Sequence, residues 1–224
     1  MAGQQPTRRQ ALRTALAGAI SVGAAGLLAA CTSDTERRPV TTPTTAASGP
    51  RKVVLAYFSR AGENYWNGGR RTLDTGNTEI LANLIRDRID CDVYRIQAAD
   101  PYPDRYDPTV ARNVSEQNSD VRPGIARPLP DLAPYDTILL GSPIWNVQPP
   151  MIMATFADGT ALRGKNLHPF VTYAVSGLGN TASFYQGLGT GARLGDGLAI
   201  RGEDVRGTDT GTDVDRWLTA TGLT

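Results

Sequence analysis

The chain has 224 residues, with 23 Lys and Arg, 22 Asp and Glu, one His and two Cys, and a formal net charge of +1. This length gives one large or two small domains, and the balanced charge argues against a nucleic-acid partner and against a strongly acidic docking protein. Two cysteines exclude a disulfide framework and a zinc site built from several thiolates, and a composition of 40% hydrophobic and 20% charged residues is typical of a globular domain.

Residues 1–31 read as a targeting sequence. A basic stretch with Arg8, Arg9 and Arg13 precedes an apolar run over residues 14–30, which ends in Leu-Ala-Ala-Cys at Cys31. The paired arginines resemble a twin-arginine export signal, and the last four residues resemble the lipobox of bacterial lipoproteins. The resemblance implies an exported protein held by lipid on Cys31 at the outer face of the cytoplasmic membrane. The alternative is an ordinary secretory signal with a chance cysteine.

Residues 32–51 are rich in Thr, Ser and Pro and nearly free of large hydrophobic side chains. Such a composition does not bury enough apolar surface to fold, so we predict a disordered tether. One domain over residues 52–224 follows.

Apolar runs and helical spacings alternate along that domain. Continuous apolar runs that end in polar turns predict strands buried on both faces, and spacings of three and four predict amphipathic helices. In chain order we predict a strand at 52–59, a helix at 77–89, strands at 91–96 and 135–141, a helix at 150–156, strands at 169–175 and 198–200, and a helix at 212–220. The alternation indicates an α/β fold with a mostly parallel sheet and helices on both faces, in which ligands bind beyond the carboxyl ends of the strands.

The loop after the first predicted strand indicates an anion site. Ser59 and Arg60 end the strand, and Gly76, Asn77 and Thr78 begin the helix. Small and hydroxylated residues at a helix N-terminus expose backbone N–H groups, which suit a phosphate. The alternative is that Thr75, Asn77 or Thr78 only caps the helix.

Two later loops follow the strands at 135–141 and 169–175. The first places Trp145 in a proline-rich turn, where the indole either stacks on a planar ligand or packs over the sheet edge. The second, residues 176–180, is a Gly-rich turn whose backbone donors and carbonyls suit the edge of a polar heterocycle.

Together, these loops resemble the flavodoxin family. The most specific stretches are Ala-Tyr-Phe-Ser-Arg at 56–60, Gly-Asn-Thr-Glu at 76–79, Gly-Ser-Pro-Ile-Trp at 141–145 and Thr-Tyr-Ala-Val-Ser-Gly at 172–177. The resemblance implies a doubly wound five-stranded parallel sheet of order 2-1-3-4-5 and FMN as cofactor. It implies that Ser59, Arg60, Gly76, Asn77 and Thr78 hold the phosphate. It also implies that two groups of residues flank the isoalloxazine ring: Pro143, Ile144, Trp145 and Asn146, and Ser176, Gly177, Leu178 and Gly179.

The chain departs from the short phosphate loop of the family, because about 15 residues separate Arg60 from Gly76. The aromatic and glycine residues of this insert, 65–74, suggest that it folds over the mouth of the flavin site.

The resemblance implies an FMN-binding electron-transfer protein that serves a redox partner protein or a small-molecule electron acceptor. Two alternatives remain open, a flavin-dependent NAD(P)H quinone or nitro-compound reductase and a flavin-free surface binding lipoprotein. Cys91 has no thiol partner if Cys31 is lipidated, so we expect a partly buried, inert thiol. The sequence carries no signal of the oligomeric state.

Overall fold

A computed structural model describes residues 52–224. The predicted export signal at 1–31, the lipidation of Cys31 and the tether at 32–51 lie outside the described residues and stay predictions. The strands are β1 (Val53–Phe58), β2 (Gly62–Trp66), β3 (Gly69–Leu73), β4 (Asp92–Ile96), β5 (Thr137–Pro143), β6 (Asn166–Tyr173), β7 (Arg193–Leu194) and β8 (Leu198–Arg201). The helices are α1 (Asn77–Arg86), α2 (Tyr106–Asn118), α3 (Ile152–Gly159), α4 (Thr181–Gly187) and α5 (Thr210–Ala220), with a 3₁₀ turn at Asp204–Arg206.

The main sheet is parallel, with the order β4-β1-β5-β6 and with both β7 and β8 beside β6. This confirms the predicted α/β fold and its order 2-1-3-4-5. The fifth position is shared by two short strands, so the sheet has six strands where five were expected. Two glycines lie in the connection between these strands, where a side chain would be crowded: a Cβ on Gly195 would overlap the His168 ring, and one on Gly197 would lie 2.8 Å from Leu178.

Helices cover both faces of the sheet, as expected. The side chains of β1 alternate between the two faces, and all six are buried. Phe58 packs in a core with Ile152 and Phe156 of α3. Leu55 packs in the opposite core with Leu81 of α1 and Leu218 of α5.

The predicted elements exist, but several ends differ. Helix α1 begins at Asn77 as predicted and ends at Arg86 rather than at 89. Strand β6 is Asn166–Tyr173 instead of 169–175, because its first residues pair with the start of β5. Ala174 and Val175 therefore lie in the loop beyond β6, and Val175 is 80% exposed.

Besides β7 and the 3₁₀ turn, three features of the described part were not predicted: the hairpin β2–β3, helix α2 and helix α4. The hairpin turns at Asn67 and Gly68, both with positive φ (46° and 83°), which is the pattern of a two-residue type I′ turn. Helix α2 turns polar residues inward, since Thr109, Asn113 and Glu116 are its buried residues. Its spacing therefore lacks the apolar stripe that predicts a helix.

Within residues 52–224, no helix is long and apolar enough to cross a membrane. The same residues contain no group of three or more His, Cys, Asp or Glu side chains placed to hold a metal ion.

Candidate functional site

A two-lobed cleft opens at the carboxyl edge of the sheet, where β1, β5 and β6 end. The two lobes share six lining residues: Arg60, Asn64, Tyr106, Ile144, Trp145 and Ala174. The lobe beside α1, here called the polar lobe, has a volume of about 80 Å³ and is also lined by Ser59, Asn77, Thr78 and Glu203. The lobe beside α2, here called the apolar lobe, has a volume of about 240 Å³ and is rimmed by Val110, Val147 and Val175. This is the edge at which ligands bind in doubly wound sheets.

The polar lobe is built around the first turn of α1. Gly76 is the N-cap residue and no side chain caps the helix from that position. The Ser59 hydroxyl instead accepts a hydrogen bond of 3.0 Å from the Glu79 N–H. The backbone N–H groups of Asn77 and Thr78 have no partner within the helix, because the first turn lacks preceding carbonyls. The alternative of a cap from Thr75, Asn77 or Thr78 is therefore wrong. The N-terminus of the helix keeps backbone N–H groups that are available to an anion.

The junction of β1 and α1 requires a glycine at position 76. A Cβ there would overlap the Ser59 hydroxyl and the Arg60 carbonyl oxygen. Gly76 does not line the cleft itself. Its part is to let Ser59 reach the helix N-terminus.

Arg206 brings a positive charge to this helix end, which the sequence analysis missed. Its Nη1 donates to Asn77 Oδ1 at 2.6 Å and its Nη2 donates to the Thr75 carbonyl at 2.8 Å. Burial lowers the pKa of Arg206 from its usual value, and the neighbouring cation of Arg71 lowers it further. Among the described residues, neither arginine forms an ion pair. Arg206 thus places a cation at the helix N-terminus beside the polar lobe, although neither it nor Arg71 lines the lobe, which Glu203 does.

Arg60 lines both lobes, but most of its guanidinium is engaged by the protein. Nη1 donates to the carbonyls of Pro103 (2.9 Å) and Asp104 (3.0 Å), and Nη2 donates to the carbonyl of Glu63. Burial lowers the pKa of Arg60. Its Nε is buried without a partner. Arg60 therefore joins β2 to the segment before α2, and Nε and one hydrogen of Nη2 are left for a ligand.

The hairpin β2–β3 forms a wall of the cleft. Asn64 and Tyr65 line it. At the tip, the Asn67 N–H donates to Glu203 Oε1 at 2.9 Å, and at the base, Glu63 Oε2 accepts the Tyr106 N–H at 2.9 Å. The hairpin is therefore attached to the start of α2 at its base and to the residues after β8 at its tip.

Trp145 combines the two roles that the sequence left open. Its indole packs edge-on against Phe58 and Tyr102, with ring centroids 5.7 and 5.1 Å apart, and it still lines both lobes. Gln117 of α2 holds this loop, since its amide donates to the Trp145 carbonyl at 3.1 Å and accepts from Asn146 Nδ2 at 2.8 Å.

The loop after β6 meets the Trp145 loop. The Asn180 N–H donates to the Val147 carbonyl at 2.7 Å, and Gly179 has a positive φ of 51°. A Cβ on Gly179 would overlap the Val147 carbonyl oxygen. The close approach of the two loops therefore depends on this glycine.

The predicted site residues divide into two sets. Those that line the cleft are Ser59, Arg60, Asn77, Thr78, Pro143, Ile144, Trp145, Asn146 and Ser176. Those that line neither lobe are Gly76, Gly177, Leu178 and Gly179. Leu178 lies against Gly197 instead. The structure thus brings the three predicted loops together at one cleft, and the second set does not line it.

Helix α2 supplies a wall that the sequence analysis missed. Tyr106, Thr109, Val110 and Asn113 line the apolar lobe. Three side chains at the cleft have a buried polar atom without a partner: Arg60 Nε, Asn113 Oδ1 and Glu203 Oε2. Because buried polar atoms are normally paired, these atoms fit a ligand that carries both donors and acceptors.

Comparisons with known proteins agree with this geometry. A family model described as flavodoxin matches residues 72–220. A crystal structure of a candidate flavoprotein from Bacteroides uniformis is 30% identical, covers 76% of this chain and 99% of its own, and gives a TM-score of 0.60. One from Bacteroides eggerthii is 26% identical over 77% of this chain and 99% of its own, with a TM-score of 0.62. A flavoprotein from Lactobacillus acidophilus in complex with FMN is 20% identical, covers 75% and 98%, and gives a TM-score of 0.53. A comparison with curated proteins found no match.

Proposed function

The chain belongs to the flavodoxin family, and from this premise we propose that it binds FMN in the two-lobed cleft and passes electrons through it. The observation that carries the proposal is that the N-terminus of α1 and the loops after β5 and β6 meet at one cleft. The two lobes match the two chemically different ends of a flavin mononucleotide.

The polar lobe suits the phosphate. The N–H groups at the start of α1 and the Ser59 hydroxyl offer hydrogen bonds, and Arg206 and Arg71 offset the charge of a dianion. Thr78 is less available, because its hydroxyl shares a buried hydrogen bond of 2.7 Å with Thr172.

The apolar lobe suits the ring. Trp145 and Val147 line one side, Ala174 to Ser176 another, and α2 a third. FMN, when bound, supplies the redox chemistry, and the protein sets its environment. Trp145 would shield the ring from water, and the backbone groups of the loops would orient its polar edge.

The lining residues favour an electron carrier over an enzyme. Neither lobe is lined by a histidine, cysteine, lysine or aspartate among the described residues, and Glu203, the one carboxylate of the lining, is engaged by the Asn67 N–H. The chain therefore offers little acid–base machinery for a substrate. The electron acceptor would be a redox partner protein or a small molecule that meets the exposed edge of the ring.

We extend the proposal to the location of the protein. The export signal and Cys31 support a lipid anchor at the outer face of the cytoplasmic membrane, where two or three acyl chains give stable attachment at about 0.8 kcal/mol per buried methylene. Cys31→Ala should release the protein from the membrane fraction, whereas Cys91→Ala should leave it there. Equal membrane retention of both variants would contradict the anchor.

Redox assays of the purified full-length protein test the electron-transfer proposal. We expect a yellow protein that releases FMN on denaturation, and whose chemically reduced form is reoxidised quickly by cytochrome c. A protein that stays colourless with added FMN would overturn the cofactor proposal. Rapid NAD(P)H oxidation with a quinone would replace the electron carrier by the reductase alternative.

A further inference from the structure

Asn113 is an unexplained polar residue in the wall of the apolar lobe. It lies in the middle of α2, is 2% exposed and lines the lobe. Its Oδ1 is buried and has no hydrogen-bond partner. Since burial of an unpaired acceptor destabilises a fold, this atom is expected to be paired when the lobe is filled.

Two polar side chains beside Asn113 are already bonded within the protein. The Thr109 hydroxyl, one turn earlier on α2, already donates to backbone carbonyls, with distances of 2.8 Å to both Pro103 and Arg105. The Arg60 terminal nitrogens are likewise bound to carbonyls. Asn113 is thus a polar group of this wall that is free to meet a ligand.

A carboxamide has a specific chemical complement. Its oxygen accepts and its NH₂ donates, so it pairs with a ring edge that carries an N–H beside a C=O. The isoalloxazine ring has one such edge, the imide at N3 between two carbonyls, whereas a quinone has carbonyl acceptors alone. Val110, Val147 and the Trp145 indole also line the lobe and offer no side-chain acceptor for that edge, and the remaining hydroxyls of the lining belong to Tyr106, Thr109 and Ser176.

We propose that Asn113 recognises the imide edge of the bound ring and sets the preference of the cleft for a flavin with a free N3–H. This inference rests on the proposed FMN site and adds a residue from α2, outside the three loops of the sequence analysis. Asn113 acts as a binding and specificity residue, and no proton is transferred.

The test compares FMN with FMN methylated at N3 by fluorescence titration of the full-length apoprotein. The wild type should bind FMN about tenfold more tightly than the methylated analogue, as expected for one lost hydrogen bond. Asn113→Leu should weaken FMN binding by about the same factor and abolish the discrimination. Asn118→Leu, an exposed asparagine on the same helix, is the matched control and should leave both affinities unchanged. Asn113→Ser serves the same comparison if the leucine variant does not fold.

The outcomes separate the two proposals. If the wild type binds neither flavin, the proposed FMN site is wrong. If the wild type binds FMN but does not discriminate, or if Asn113→Leu keeps the full discrimination, only the role of Asn113 is overturned.

Discussion

The two lobes of the cleft differ in how they are built. The polar lobe is formed by residues next to strands and a helix with strong apolar patterns, β1 and α1. The apolar lobe is closed by α2, whose buried face is polar. The local sequence pattern therefore predicts the polar lobe. The apolar lobe depends on side chains whose hydrogen bonds are made with residues distant in sequence.

The buried face of α2 is stabilised by hydrogen bonds and not by an apolar stripe. Glu116 accepts from the Tyr102 hydroxyl at 2.7 Å and pairs with Arg112 Nε at 2.7 Å. The Arg112 guanidinium lies 4.1 Å from the centre of the Tyr102 ring. Burial and the bond to Glu116 raise the pKa of Tyr102, so this phenol stays a donor. A polar network thus holds α2, which forms one wall of the apolar lobe.

Breaking that network should have the largest effect. Glu116→Ala leaves the buried Tyr102 hydroxyl and the Arg112 Nε without an acceptor, while Arg112 keeps its ion pair with Asp100. We expect a loss of about 2 kcal/mol in the free energy of unfolding, measured with urea. Glu116→Gln keeps an acceptor for Tyr102 and should lose clearly less. If Glu116→Ala unfolds at the wild-type urea midpoint, the network does not support α2.

The polar lobe is tested by its affinity for the phosphate. Arg206→Gln should weaken FMN binding by roughly tenfold to a hundredfold, because a charge-assisted interaction is lost. Riboflavin, which lacks the phosphate, should bind the variant and the wild type equally. Arg216→Gln, an exposed arginine paired with Asp213, is the control. An equal loss for FMN and riboflavin would place Arg206 outside the phosphate site.

The contact between the loop after β5 and the loop after β6 depends on Gly179 more than on Gly177. Both have positive φ, which costs an L-residue about 1–2 kcal/mol, but a Cβ on Gly177 meets no atom within 4 Å. Gly179→Ala should therefore destabilise the protein more than Gly177→Ala in thermal unfolding, because it also pushes away the Val147 carbonyl. The reverse order would contradict the close approach of the loops.

The smallest effect concerns Cys91, which precedes β4 at the opposite end of that strand from the cleft. Burial, with Asp90 and Asp92 adding to it, raises the pKa of Cys91 to about 11. At pH 8 the thiol is therefore protonated, and iodoacetamide should modify the Cys91 peptide much more slowly in the native protein than in urea. The native rate should rise as the pH approaches 11. Equal rates in native and denatured protein at pH 8 would show an exposed, reactive thiol.

The fold was predictable from sequence because its main strands are apolar on both faces and end in turns. The hairpin was also within reach, since Asn67-Gly68 is a type I′ turn signal, but the insert was interpreted as a loop. Helix α2 was not predictable in this way, because the positions on its buried face hold Thr109, Asn113 and Glu116 and not apolar residues. Arg206 lies 129 positions from Asn77, and no local pattern connects them.

The difference between local patterns and long-range contacts also explains which site residues could be predicted. Ser59, Trp145 and Ser176 lie in turns just after predicted strands, so strand prediction alone brings them to one edge, and Asn77 begins the helix that packs beside them. The family resemblance implies Arg60 as a phosphate ligand, but the carbonyls of Pro103 and Asp104 engage its Nη1. Long-range hydrogen bonds decide which of the nearby polar groups remain free.

A crystal structure of the protein with FMN would show directly where the cofactor binds. We expect the phosphate within hydrogen-bond distance of the Asn77 and Thr78 N–H groups and beside Arg206, with the ring between the Trp145 loop, residues 174–176 and α2. A flavin bound elsewhere, or a phosphate far from the start of α1, would contradict this expectation.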